Sequence, residues 1–285
     1  MINTLILPDN LAGQLDNPDW LIIDCRFSLD DTTRGRRDYQ QAHIPGAIYA
    51  HLDDDLSAPV IPGKTGRHPL PSVEALTKLF SRRGIDESVQ VVAYDDGPGA
   101  IASRLWWMLR WLGHDAVAVL DGGWPAWREA DLPVTNKITG RNPRKFSANP
   151  RNEWLATAKD IEQIRSNPNH CLIDARAGER FRGEIEPIDP VAGHIPGAIN
   201  APYLENLGAN GRFLPPEMLR EKFSALLDNN NPAQSVHYCG SGVTACHNLL
   251  AMKHAGLGDG KLYAGSWSEW ITDPLREITP MGKSI

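Results

Sequence analysis

The sequence predicts an α/β protein of two tandem domains, each a small parallel sheet flanked by helices. Two observations carry this. Short β-branched runs alternate with longer helical patterns, and that alternation implies parallel strands joined by right-handed crossovers. The second half of the chain also repeats the first. Leu21-Ile22-Ile23-Asp24-Cys25-Arg26 recurs as Cys171-Leu172-Ile173-Asp174-Ala175-Arg176, and His43-Ile44-Pro45-Gly46-Ala47-Ile48 as His194-Ile195-Pro196-Gly197-Ala198-Ile199. Asp121-Gly122-Gly123-Trp124-Pro125-Ala126-Trp127 answers Ala264-Gly265-Ser266-Trp267-Ser268-Glu269-Trp270, keeping a Trp-x-x-Trp spacing. The blocks keep their order, and so long a period marks a duplicated domain; solenoid repeats are far shorter.

Taken in order, 21–25, 89–94 and 116–120 read as strands buried on both faces, and 171–175, 234–238 and 261–263 repeat them. Helices are expected at 72–83, opened by Ser72, and at 100–112. Trp106, Trp107 and Trp111 fall at helical spacing on the second of these and read as core packing. The stretch 132–151 holds Pro133, Pro143, Pro150 and Gly140 with several Lys and Arg residues, as an extended linker would. The expected division is a first domain at 1–135, a linker at 136–151 and a second domain at 152–285.

Composition excludes several classes. The chain has 285 residues, enough for two domains, with 41% hydrophobic and 22% charged residues. A formal charge of −6 argues against nucleic acid as a partner. No apolar stretch approaches a membrane span, and the N-terminus lacks the basic start of a secretory signal, so a cytoplasmic protein is expected. Four cysteines without a Cys-x-x-Cys pair speak against a zinc site and a dithiol redox motif. Neither metal nor cofactor is expected.

The chemistry concentrates in Tyr238-Cys239-Gly240-Ser241-Gly242-Val243-Thr244-Ala245-Cys246. A strand delivers Cys239 into a Gly/Ser loop, and a helix follows at once. Amides of that first turn have no intrahelical partner and favour thiolate over thiol. Gly240 and Gly242 would let the loop curl its amides inward as an anion nest. The alternative reading is a buried structural cysteine at a tight turn. In the matching register of the first half, Tyr94 is followed by Asp95, so that copy lacks the nucleophile. His43 and His194 precede the same turn in both copies, which favours a structural role, and Cys246 reads as a small buried hydrophobe.

These features together resemble the two-domain rhodanese family, over almost the whole chain. The Cys-Gly-Ser-Gly-Val-Thr loop resembles its 3-mercaptopyruvate branch; the thiosulfate branch carries Cys-Arg-Lys-Gly-Val-Thr. The resemblance implies a sulfurtransferase that moves sulfur from 3-mercaptopyruvate through a Cys239 persulfide, releasing pyruvate. A thiol, a thioredoxin-like protein or cyanide would accept the sulfur. Thiosulfate:cyanide sulfur transfer is the alternative. By the same resemblance Cys239 is the sulfur-accepting nucleophile, and the amides of Gly240, Ser241, Gly242, Val243 and Thr244 cradle its anion. Ser241 acts with His68 and Asp53, both from the first domain, and Arg180 binds the substrate carboxylate. The family's second substrate-binding arginine falls at position 189, where this chain has aspartate.

Two other classes fit less well. A cysteine phosphatase needs arginine at 245, where alanine stands, and a non-catalytic binding module would have lost Cys239.

Overall fold

A computed structural model describes residues 1–228 and 230–280. The last five residues of the expected second domain, 281–285, lie outside the described residues. The chain divides into two compact units, the first formed by Met1–Ala58, Leu70–Arg151 and Ala209–Arg212, the second by Pro59–Pro69, Asn152–Gly208 and Phe213–Ile285. The division does not follow sequence order: Pro59–Pro69 packs with the second unit.

The first unit holds β1 (Leu5–Ile6), β2 (Trp20–Asp24), β3 (Ile48–Tyr49), β4 (Gln90–Tyr94) and β5 (Val117–Leu120), and its sheet runs β1-β5-β4-β2-β3 with every pair parallel. Its helices are α1 (Pro8–Ala12), α2 (Arg34–Gln41), α3 (Val73–Arg82), α4 (Ala100–Trp111) and α5 (Gly123–Glu129). Ser72 caps α3 by accepting from the Ala75 amide at 3.1 Å, satisfying one of the donors a helix start leaves open. Trp106, Trp107 and Trp111 are buried, and the last two rings stack. Residues 136–151 form no helix or strand. Their basic side chains bind the first unit: Arg151 pairs with Asp115, Arg144 with Asp86, and Arg141 donates to the Trp20 carbonyl.

The second unit repeats this plan with β6 (Leu155–Ala156), β7 (Cys171–Asp174), β8 (Ala198–Asn200), β9 (Ser235–Tyr238) and β10 (Lys261–Tyr263), ordered β6-β10-β9-β7-β8 and again all parallel. Its helices are α6 (Ala158–Ile164), α7 (Gly178–Phe181), α8 (Pro216–Leu227), α9 (Ala245–His254) and α10 (Ser266–Trp270). The edge strands of both sheets, two or three residues long, are too short to show a period in the sequence.

The repeated blocks turn out to be one buried cluster, built twice. Asp24 holds Arg26 at 2.7 Å and accepts from Tyr94 Oη at 2.6 Å, and the Arg26 guanidinium lies 4.5 Å over the Trp124 ring. Asp174 holds Arg176 at 2.6 Å, and Arg176 lies 4.9 Å over Trp267. Each arginine also donates to a main-chain carbonyl, of Ala42 or Gly193. A buried charge persists only when paired and hydrogen-bonded, so the motif recurs as a set. His43 and His194 complete it: each ring nitrogen Nδ1 meets a main-chain oxygen, of Tyr39 or Phe181, and each ring stacks on that same residue. Their role is structural.

Candidate active site

β9 is central in its sheet and ends at Tyr238, so Cys239 emerges at the carboxyl end of a strand, the usual place for ligand sites in parallel sheets. The helix after the loop starts at Ala245. Cys239 is buried, 2% exposed. Burial alone pushes its thiol up. A hydrogen bond from the Thr244 side chain and the amides of Ser241 and Ala245 outweigh burial, and the pKa falls below the ordinary cysteine value. All four cysteines are free thiols.

The two loop glycines serve different ends. Gly242 has φ +75°, and a Cβ there would lie 2.3 Å from the Ala264 carbonyl oxygen, so only glycine fits. Gly240 is not left-handed, and a side chain there would push against the ends of two arginine side chains. A Cβ on it would lie 2.8 Å from Arg67 Nη2 and 3.6 Å from Arg180 Nη2. The expectation that both glycines serve to curl the loop is corrected at Gly240. Val243 is buried and its carbonyl accepts from the Cys246 amide, opening the helix.

The loop is fixed from behind by the turn at Ala264-Gly265-Ser266. The Cys239 amide donates to Ser266 Oγ at 3.1 Å, Ser266 Oγ donates to the Tyr263 carbonyl, and the Trp267 amide donates to the Cys239 carbonyl at 2.9 Å. Ser266 has φ +56°, strained for a residue with a side chain, where the first copy has Gly123 at +55°. The serine at this register was a visible signal that the sequence reading passed over.

His68 sits on the segment that packs with the second unit. Its Nδ1 is 2.7 Å from Ser241 Oγ, and both residues are buried. The segment reaches this position by close approach. Gly66 lies against the Gly265 carbonyl, leaving no room for a Cβ, and the Arg67 amide donates to Ser268 Oγ at 3.0 Å. His68 thus comes from the first half of the sequence and packs as part of the second unit. Asp53 belongs to the first unit, where its amide donates to His51 Nδ1 at 3.1 Å.

Arg180 stands beside the loop with two carboxylates, Glu186 at 2.7 Å and Asp189 at 3.2 Å. Asp189 also accepts from Arg67 Nη1. Burial pulls the Arg67 guanidinium below the ordinary arginine value, and the negative charge of Cys239 opposes that fall. Arg67 was missed in the sequence reading. The position expected to lack a cation is the anchor of an arginine supplied from elsewhere in the chain. Among the described residues no group of three or more His, Cys, Asp or Glu side chains could hold a metal ion.

The register-matched loop of the first unit is closed by its own anion. Asp95 is buried, and its carboxylate accepts from the amides of Gly97, Gly99, Ile101 and Ala102 at 2.9–3.1 Å. The Trp124 amide donates to the Asp95 carbonyl, as Trp267 does to Cys239.

A family model described as a rhodanese-like domain matches residues 7–130 and 157–273. The chain belongs to the rhodanese-like family. Among curated relatives, a probable 3-mercaptopyruvate sulfurtransferase of Pseudomonas aeruginosa is 53% identical over 275 residues, 96% of this chain and 97% of that one. A putative thiosulfate sulfurtransferase of Mycobacterium tuberculosis is 40% identical over 279 residues, 96% of each chain. Among solved structures, a 3-mercaptopyruvate sulfurtransferase from Leishmania major matches with a TM-score of 0.81 at 33% identity, covering 94% of this chain and 74% of that one. Like these rhodanese-family relatives, the chain is a sulfurtransferase, with its cysteine loop in the second rhodanese-like domain.

Proposed function

We propose that this protein transfers sulfur from 3-mercaptopyruvate through a Cys239 persulfide. The observation that carries this reading is a buried thiol with a lowered pKa, held by Thr244 and loop amides, beside a Ser241–His68 pair and two arginines. The Cys239 thiolate attacks the donor sulfur and forms an S–S bond. The donor carbon–sulfur bond breaks, and its electron pair becomes the enolate of pyruvate, delocalised into the carbonyl. Protonation of that enolate releases pyruvate and leaves one added sulfur on Cys239. Ser241 and His68 supply the proton path near the carbonyl, and Arg180 binds the carboxylate. A thiol, a thioredoxin-like protein or cyanide then takes the outer sulfur. A free reactive thiol fits a reducing compartment such as the cytoplasm, and no helix among the described residues is long and apolar enough to cross a membrane.

The test is a side-by-side donor assay with a fixed acceptor. Mercaptopyruvate should exceed thiosulfate in kcat/KM and release one pyruvate per sulfur transferred. A thiosulfate advantage would move the chain to the thiosulfate branch.

A further inference from the structure

Two arginines from distant parts of the sequence meet over the backbone of Gly240, and one carboxylate joins them. Arg67 Nη1 binds one oxygen of Asp189, and Arg180 Nη2 binds the other at 3.2 Å. We propose that Arg67 and Arg180 form a two-cation clamp for the anionic end of the sulfur donor, and that Asp189 sets the charge of this clamp to suit a monoanion over a dianion. The donor chemistry rests on the function proposed above; the clamp itself is tested without it.

Exposure separates the cations from their counterions. The side chains of Asp189 and Glu186 are 2% and 4% exposed, whereas those of Arg67 and Arg180 are 29% and 15% exposed. An entering anion therefore meets guanidinium groups first. The Nε of Arg67 is buried and has no hydrogen-bond partner among the described residues, so this guanidinium retains donor capacity beyond Asp189. Apart from the Cys239 thiolate the linked charges balance: Arg67, Arg176 and Arg180 stand against Asp174, Glu186 and Asp189 in one chain of contacts. Coulomb energy scales with the product of charges. The negative charge of Asp189 thus opposes a dianion about twice as strongly as a monoanion at the same place. Gly240 belongs to the same device, because a side chain there would displace Arg67.

Anion protection of the Cys239 thiol against iodoacetamide reads the clamp without sulfur transfer. Full-length protein is alkylated in the presence of pyruvate, a monoanion, or sulfate, a dianion, each rate being referred to the anion-free rate of the same variant. In the unmodified chain pyruvate should protect at lower concentration than sulfate. Asp189→Asn should improve protection by sulfate about tenfold more than protection by pyruvate, the effect of one removed charge worth about 1.4 kcal/mol in differential binding. Arg67→Gln should weaken protection by both, and Arg67→Lys should restore part of it. Equal effects of Asp189→Asn on both anions would overturn the charge-setting role. Unchanged protection in Arg67→Gln, or no protection of the unmodified chain by either anion, would overturn the clamp. Should Asp189→Asn not fold, the two Arg67 variants decide. Failure of the proposed function would appear separately, as absent pyruvate release.

Discussion

His68 Nδ1 and Ser241 Oγ lie 2.7 Å apart, although 173 positions separate them in the sequence. The contact sets an imidazole against a hydroxyl two residues from the nucleophile, a suitable place for moving a proton at a substrate carbonyl. Thiosulfate has no carbonyl. His68→Ala should therefore lower turnover with mercaptopyruvate by about a hundredfold, the ordinary scale of general acid–base catalysis, with a much smaller loss for thiosulfate. Equal losses with both donors would reduce His68 to a packing residue.

The pH dependence of Cys239 reactivity follows from its hydrogen bonds. Its thiol pKa is lowered despite burial, so alkylation should rise with pH through a midpoint below that of a free cysteine, about 8.5. Thr244→Val removes the side-chain hydrogen bond that favours the thiolate. Its profile should shift to higher pH while the fast-rate plateau above the midpoint is retained. A profile unmoved by Thr244→Val would assign the lowered pKa to the loop amides alone.

Asp95 should be a stability residue with no part in turnover. Its carboxylate satisfies four main-chain amides, which Asp95→Ala would leave without that acceptor. The expected loss is at least about 2 kcal/mol, on the scale of a buried unsatisfied donor, with persulfide formation on Cys239 unchanged. Urea unfolding monitored alongside persulfide yield checks both halves. Loss of persulfide at full stability would give the first unit a chemical role.

The buried pairs beneath both loops make a parallel test. Removing one partner of such a pair costs about 3–5 kcal/mol, because the other charge stays buried alone. Asp24→Asn and Asp174→Asn should each destabilise strongly by urea unfolding. Only Asp174→Asn should also slow sulfur transfer, since Arg176 shares Glu186 with Arg180.

Much of this was legible in the sequence because the chain says it twice. The repeated Asp-x-Arg, His-Ile-Pro-Gly and Trp-x-x-Trp blocks name the buried cluster of each unit, and the Asp95-for-Cys239 exchange points to the single cysteine loop. What was hidden depends on packing between distant segments. Pro59–Pro69 lies in the first half of the sequence and packs with the second unit, so nothing local marks Arg67 as a neighbour of Gly240. Asp189 looked like a missing cation, because a sequence shows the residue but not the arginine it holds. Arg67 and Arg180 stand beside Gly240, but Asp189 and Glu186 balance their charges. The donor preference therefore turns on the net charge of the site.

The most direct measurement is the intact mass of the protein after brief exposure to 3-mercaptopyruvate without acceptor. The unmodified chain should gain one sulfur, lost again on adding a thiol, while Cys239→Ala gains none and Cys246→Ala behaves as the unmodified chain. An equal gain in Cys239→Ala, or no gain in the unmodified chain while pyruvate is released, would contradict a Cys239 persulfide.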